Sequence, residues 1–330
     1  MTRRHLGVPR TATVLALTAL ALSVLFSLAL GSRAIGPAAL WQAAQGLGDE
    51  HTRAVLATRI PRTLCGLLAG AALAVSGAAI QVATRNPLGD PGVLGLTSGA
   101  AAGIVLVATS ATLAPLGLVG GAFTGALLAT VAVLGLGSLG RGPDATRLLL
   151  AGAVVTTVAM ALSQSLALRD QGAFDALRFW SAGSLSAGAA LTAPVLVTAA
   201  AGALLLAGTS RGLDALALGD DAATALGQRP GLVRGLTFLA VALLTSAATA
   251  VTGPIAFVGL AVPHLARGLV GGGARALLAC CLVLGPCVLL LADVAGRLVI
   301  RPSEVPVGVV TGLMGAPLLL AVVRRTRGAL

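Results

Sequence analysis

Few side chains in this sequence are equipped for chemistry. Asp293 is the only acid deep inside a long apolar run. A carboxylate in a bilayer is expensive and is usually functional or paired. Structural pairing is the expected state, and proton coupling is the alternative. The four cysteines, Cys65, Cys280, Cys281 and Cys287, lack zinc-ligand spacing with histidines and read as small buried apolar side chains. His5 and His51 fall in expected loops. His264 follows Pro263 and reads as a helix-end hydrogen-bonding residue rather than a metal or proton relay. The apolar runs hold no paired acids and no H-E-x-x-H pattern, so an intramembrane enzyme has no catalytic constellation to work with. All 22 Lys and Arg residues are arginine. A P-loop needs the lysine of G-x-x-x-x-G-K-[ST] to reach nucleotide phosphates. This chain is therefore expected to bind no ATP and to carry no cofactor of its own.

The elements around these residues are apolar helices. Hydrophobic residues make up 57% of the 330, charged residues 10%, and mean hydropathy is +0.98. A soluble domain of this length needs a much larger charged surface. About 20 apolar residues span the hydrocarbon core as a helix, and only helices or closed barrels satisfy their backbone there. Unbroken runs rich in Ala, Leu and Val read as helices rather than alternating barrel strands. The expected fold class is an all-α polytopic membrane protein in one domain, 1–330. About ten helices are expected, at roughly 12–30, 60–82, 91–109, 114–137, 146–168, 190–207, 233–251, 254–266, 276–296 and 305–323. The eighth is too short to cross alone at about 1.5 Å per residue. The first follows Arg3, Arg4 and Arg10 as a signal peptide would, but it is long enough to span and further spans follow. The 44 glycines and abundant alanine suit close helix packing in lipid, where no hydrophobic effect drives association.

The net charge of +11 does not point to nucleic acid, because the arginines sit between apolar runs. Ten spans place both termini on one side. If that side is cytoplasmic it holds most of the arginines, including those at 85, 141, 147, 211, 229, 234, 267 and 275. Arg33, Arg53, Arg59, Arg62, Arg169, Arg178, Arg297 and Arg301 remain outside and need their own explanation. The longest polar connection, 209–234, contains an expected short semi-apolar helix that Gly227 and Pro230 stop. It either docks a soluble partner or rests on lipid.

Three blocks are more specific. They are RIPRTLCGLLAGAALAVSGAAIQVATRNPLGDPGVLGLTSGA from Arg59, TRLLLAGAVV from Thr146, and ATAVTGPIAFVGLAVPHLARGLVGG from Ala248 with the following LLLADVAGRLV and EVPVGVVTGLMGAP. From about Arg59 to Arg325 the chain resembles the FecCD-type permeases of binding-protein-dependent ABC importers for iron–siderophores, haem and cobalamin. The RFW at Arg178–Trp180 and the ending GAPLLLAVVRR look most like permeases for catecholate siderophores of the ferric-enterobactin kind.

The resemblance implies the ten-helix type II importer permease fold in the bacterial cytoplasmic membrane, dimerised as a homodimer or a heterodimer. It implies two cytoplasmic ATPase subunits that carry the ATP and Mg, and an extracytoplasmic substrate-binding protein. It assigns Arg59, Arg62 and Arg297 to docking of that protein. Residues at i and i+3 share a helix face, and arginine grips a carboxylate bidentately; interfacial snorkelling is the other reading. The resemblance also places a cytoplasmic gate at Pro143–Arg147, with Ala145 and Thr146 where a Ser/Thr-rich pair often lies. It assigns ATPase coupling to Leu216, Leu218, Gly219, Asp220, Asp221, Ala222, Leu226 and Gly227. Many relatives have Asp-His-Arg where this chain has Gly273-Ala274-Arg275. A permease of the same family for haem or cobalamin, and an ion-driven secondary transporter, are the competing readings.

Overall fold

The fold is described from a computed structural model. It covers residues 10–31, 33–138, 145–186, 191–270 and 273–327. Among these residues there are thirteen α-helices, two 3-10 turns and no strand. The helices are α1 Arg10–Ala29, α2 Pro37–Ala44, α3 Glu50–Thr84, α4 Leu96–Thr109, α5 Gly117–Ser138, α6 Ala145–Ala167 and α7 Gln171–Ser181. They continue with α8 Ala193–Leu216, α9 Asp220–Ala225, α10 Pro230–Thr252, α11 Val258–Leu269, α12 Ala274–Val299 and α13 Val307–Arg327.

Each of the ten expected segments contains a helix. Among the described residues, six helices are long and apolar enough to cross a bilayer: α3, α5, α6, α8, α10 and α12. Among the described residues, the apolar stretches of α1, α4 and α13 are shorter, and α11 has only 12 residues. Two further helices, α2 and α7, lie in stretches read from sequence as connections. The α7 helix is amphipathic, and Asp170 caps it by accepting the Ala173 N–H at 2.7 Å. Arg178 lies over the Phe179 ring at 5.0 Å.

The core is built on α3, α10 and α12. Their most apolar stretches are 72%, 78% and 67% buried, against 33%, 22% and 28% for α5, α6 and α8. Missing side chains make this packing possible. A methyl on Gly70 would sit 2.7 Å from the Cα of Pro286, so α3 and α12 touch backbone to backbone. Gly77 faces the backbone of Gly259 in the same way, which seats α11 on α3. Gln81, one turn further on, donates to the carbonyls of Gly89 at 3.2 Å and Gly259 at 3.3 Å. Gly77 and Gln81 thus both tie α3 to α11.

The α3 helix is longer than its apolar run, at 35 residues. It starts where Asp49 accepts the Thr52 N–H at 3.3 Å. It stops at Arg85, in the left-handed conformation with φ 52°, just before Asn86-Pro87.

Candidate functional site

Polar groups gather at both ends of α3. At the first end, Arg59 and Arg62 on α3 meet Asp293 and Arg297 on α12. The α3–α12 contact at Gly70 carries the two helices there together. Arg62 donates Nε to both oxygens of Asp293 at 3.1 Å and Nη2 to Oδ1 at 2.7 Å. Its Nη1 reaches Glu304 Oε2 at 2.6 Å. Arg297, one turn beyond Asp293 on the same helix, pairs with its other oxygen at 3.0 Å. The carboxylate is 1% exposed and sits between two guanidiniums. This is the structural pairing expected of Asp293.

The same arginines finish α1. Arg297 Nη1 donates to the carbonyls of Ser27 and Leu30 at 3.0 Å, and Nη2 donates to Ser27 Oγ at 3.2 Å. Arg59 Nη1 donates to Leu28 and Ala29 at 2.7 and 3.0 Å, and Nη2 donates to the Arg33 carbonyl. The last carbonyls of a helix lack partners within it and carry partial negative charge. Two buried cations supply both needs. Arg59, Arg62 and Arg297 therefore come together at one end as anticipated, but they turn inward, at 6%, 12% and 2% exposed. The spacing of Arg59 and Arg62 carried no sign of this, because the α1 carbonyls are far away in sequence. A cavity of about 200 Å³ opens beside them, with Arg33, Arg59, Arg62, Ser186, Arg297 and Glu304 in its wall.

At the opposite end, roughly 33 Å along α3 at 1.5 Å per residue, Arg85 and Arg234 hold Asp220. Arg234 donates to both Asp220 oxygens at 2.8 and 2.7 Å, and its Nε caps the Ala83 carbonyl at 3.1 Å. Arg85 stands 3.8 Å from the same carboxylate. The Arg234 hydrogen bonds hold the Asp220 carboxyl below its ordinary pKa, with both arginines adding charge attraction.

The coupling segment differs from the sequence expectation in two ways. The connection is shorter than 209–234, because α8 runs on to Leu216 and α10 begins at Pro230. The short helix is only the six residues Asp220–Ala225, entered at Gly219 (φ 112°) and left at Gly227 (φ 77°). Leu216 is the last residue of α8 and fully buried, so it offers no surface in this chain. Leu218 and Leu226 flank α9 at 69% and 62% exposed, Asp221 is exposed, and Ala222 is half-buried.

Residues 143 and 144 of the expected gate lie outside the described residues, as do Arg3, Arg4 and Arg141. Ala145 opens α6 and Thr146 is exposed. His264 sits within α11, away from the expected helix end, and its ring makes no hydrogen bond among the described residues. At Gly273-Ala274-Arg275 the start of α12 is held by a neighbouring helix. Asp214 of α8 accepts the Ala274 N–H at 2.6 Å and Arg275 Nε at 2.7 Å, capping α12 from a neighbouring helix.

Residues 19–325 match the FecCD transport family. The ferric enterobactin transport system permease protein FepD of Escherichia coli K12 is 46% identical over 285 residues, covering 83% of each chain. The iron(3+)-hydroxamate import system permease protein FhuB of Bacillus subtilis 168 is 41% identical over 278 residues, covering 82% of this chain and 71% of FhuB. A solved structure described as an inward-facing conformation of a metal-chelate type ABC transporter superposes with a TM-score of 0.79 at 27% identity. It covers 95% of this chain and 98% of that one.

Proposed function

The chain belongs to the FecCD transport family, and we infer from this that it is the membrane permease of an ABC importer for a ferric siderophore of the enterobactin type. The extended likeness to a ferric enterobactin permease carries the reading. The relatives are permeases of transport and import systems and the superposed structure is an ABC transporter, which favours ATP-driven over ion-driven transport.

In this reading α1, α3, α4, α5, α6, α8, α10, α12 and α13 cross the membrane, and α11 is the partial tenth span. Both termini are cytoplasmic. The end carrying Arg62 faces outward and receives the substrate-binding protein, whose acidic side chains meet the cationic cavity. The end carrying Asp220 faces two ATPase subunits, with Leu218 and Leu226 in the contact. Ala145 and Thr146 line the cytoplasmic gate where this chain meets a second permease subunit. ATP and Mg reside on the ATPases.

What supports a mechanical role for α3 is that it carries Arg62 of one clamp and the Ala83 carbonyl held by Arg234 of the other. Beyond Pro61, the stretch from Arg62 to Ala83 is helical throughout and can move as one rod. The test is reconstitution in proteoliposomes with the cognate ATPase and binding protein. Binding-protein-stimulated ATP hydrolysis and uptake of a ferric catecholate are expected. Robust ATP turnover by the purified chain alone would overturn the reading.

A further inference from the structure

Glu304 is the one exposed acid in the outward cluster. Arg62 has its Nε and Nη2 committed to buried Asp293, and Glu304 occupies the remaining Nη1. The two carboxylates are placed differently: Asp293 is 1% exposed, whereas Glu304 is 37% exposed. Asp293 is thus fixed by burial, and Glu304 is reachable from water. The backbone beside Glu304 is anchored, since Val305 N–H donates to the Gly296 carbonyl at 3.0 Å. Movement at this position therefore falls to the side chain.

The surroundings are cationic. Arg33, Arg59, Arg62 and Arg297 line one cavity; among the described residues, Glu304 is the one acid in its wall, with Asp293 buried behind it. A cavity with excess positive charge suits a carboxylate.

We propose that Glu304 is an internal stand-in for a carboxylate of the docking protein, occupying Arg62 in the free permease and giving way when an acidic side chain of the partner arrives. The partner is a protein with an acidic contact surface. This rests on the docking reading above and adds how the docking face is regulated. A stand-in carboxylate keeps Arg62 paired between encounters. It also weakens docking, because each encounter must displace it.

The experiment uses the full permease–ATPase complex in nanodiscs and the purified binding protein loaded with its ferric siderophore, with Kd read at low and high salt. Glu304→Gln keeps the side-chain shape and removes the charge. Glu304→Ala is measured alongside it, so a folding defect in one variant does not decide the outcome. The expected result is docking tighter by roughly two- to fivefold at low salt, with the gain shrinking as salt screens the cavity. Unchanged or weaker docking in the folded variants overturns the exchange. Arg33→Glu, at an exposed position in the same wall, tests the docking reading separately. If it leaves docking intact, the partner binds elsewhere and the underlying reading fails. If it weakens docking while the Glu304 variants bring no gain, the exchange alone fails.

Discussion

Arg62 and Asp293, 231 residues apart in sequence, form a forked ion pair from two helices that touch through glycine backbone. Asp293 also holds Arg297, so a single buried carboxylate is shared by two guanidiniums. Replacing one member of such a group leaves charge buried without a counterion.

Asp293→Asn is accordingly expected to destabilise the protein by about 3 kcal/mol or more. The measurement is the apparent melting temperature in detergent or nanodiscs. An unchanged melting temperature would mean that Arg62 and Arg297 reach water in the absence of Asp293.

Gly70→Ala tests the contact that brings the pair together. The added methyl would lie 2.7 Å from backbone atoms of Gly285 and Pro286, which cannot rotate away as a side chain does. A loss of about 1–3 kcal/mol is expected. Wild-type stability and transport together would show that α3 and α12 slide apart without penalty.

Leu218→Arg with Leu226→Arg probes the opposite end. Both side chains are exposed, so folding should hold, while a charge enters a contact proposed to be apolar and desolvated. ATPase recruitment in pull-downs should fall at least tenfold, with binding-protein docking unchanged. Recruitment at the wild-type level would leave α9 as an interfacial helix resting on lipid. Leu216→Arg should instead lower the melting temperature, because Leu216 is fully buried.

The Asp220–Arg234 clamp makes a pH prediction. The Asp220 pKa is depressed in the folded protein, so its contribution is present above the unfolded carboxyl pKa, about 3.9. It is lost as pH falls through the lower folded value. Protection of residues 219–228 against hydrogen exchange, corrected for intrinsic rates, should hold from neutrality down to about pH 4 and drop only below it. Asp220→Asn should lose that protection at every pH. Loss in the wild type near pH 6 would implicate a different group.

Some of this protein is settled by residues read in order. Runs of Ala, Leu and Val beyond the reach of a soluble fold determine an all-helical membrane chain, and each of the ten expected segments contains a helix. The absent lysine removes the P-loop. The blocks from Arg59 and Ala248 point to the family.

The tertiary structure decided where the polar groups go and which apolar ones are free. Nothing near Asp293 in sequence announces Arg62, and nothing near Arg59 announces the open carbonyls of Leu28 and Ala29. Leu216 and Leu218 are both leucines in a semi-apolar segment, yet one is fully buried and the other 69% exposed. The physical reason is the solvent. In water, a buried face is apolar and an exposed face polar, so periodicity separates them. In a bilayer both faces of a spanning helix are apolar, and helix contacts depend on small residues and scattered polar pairs. The pattern that would assign faces is therefore weak along α3, α5 and α8. Only the packed bundle shows that α3 is central and that Arg59 and Arg62 turn inward.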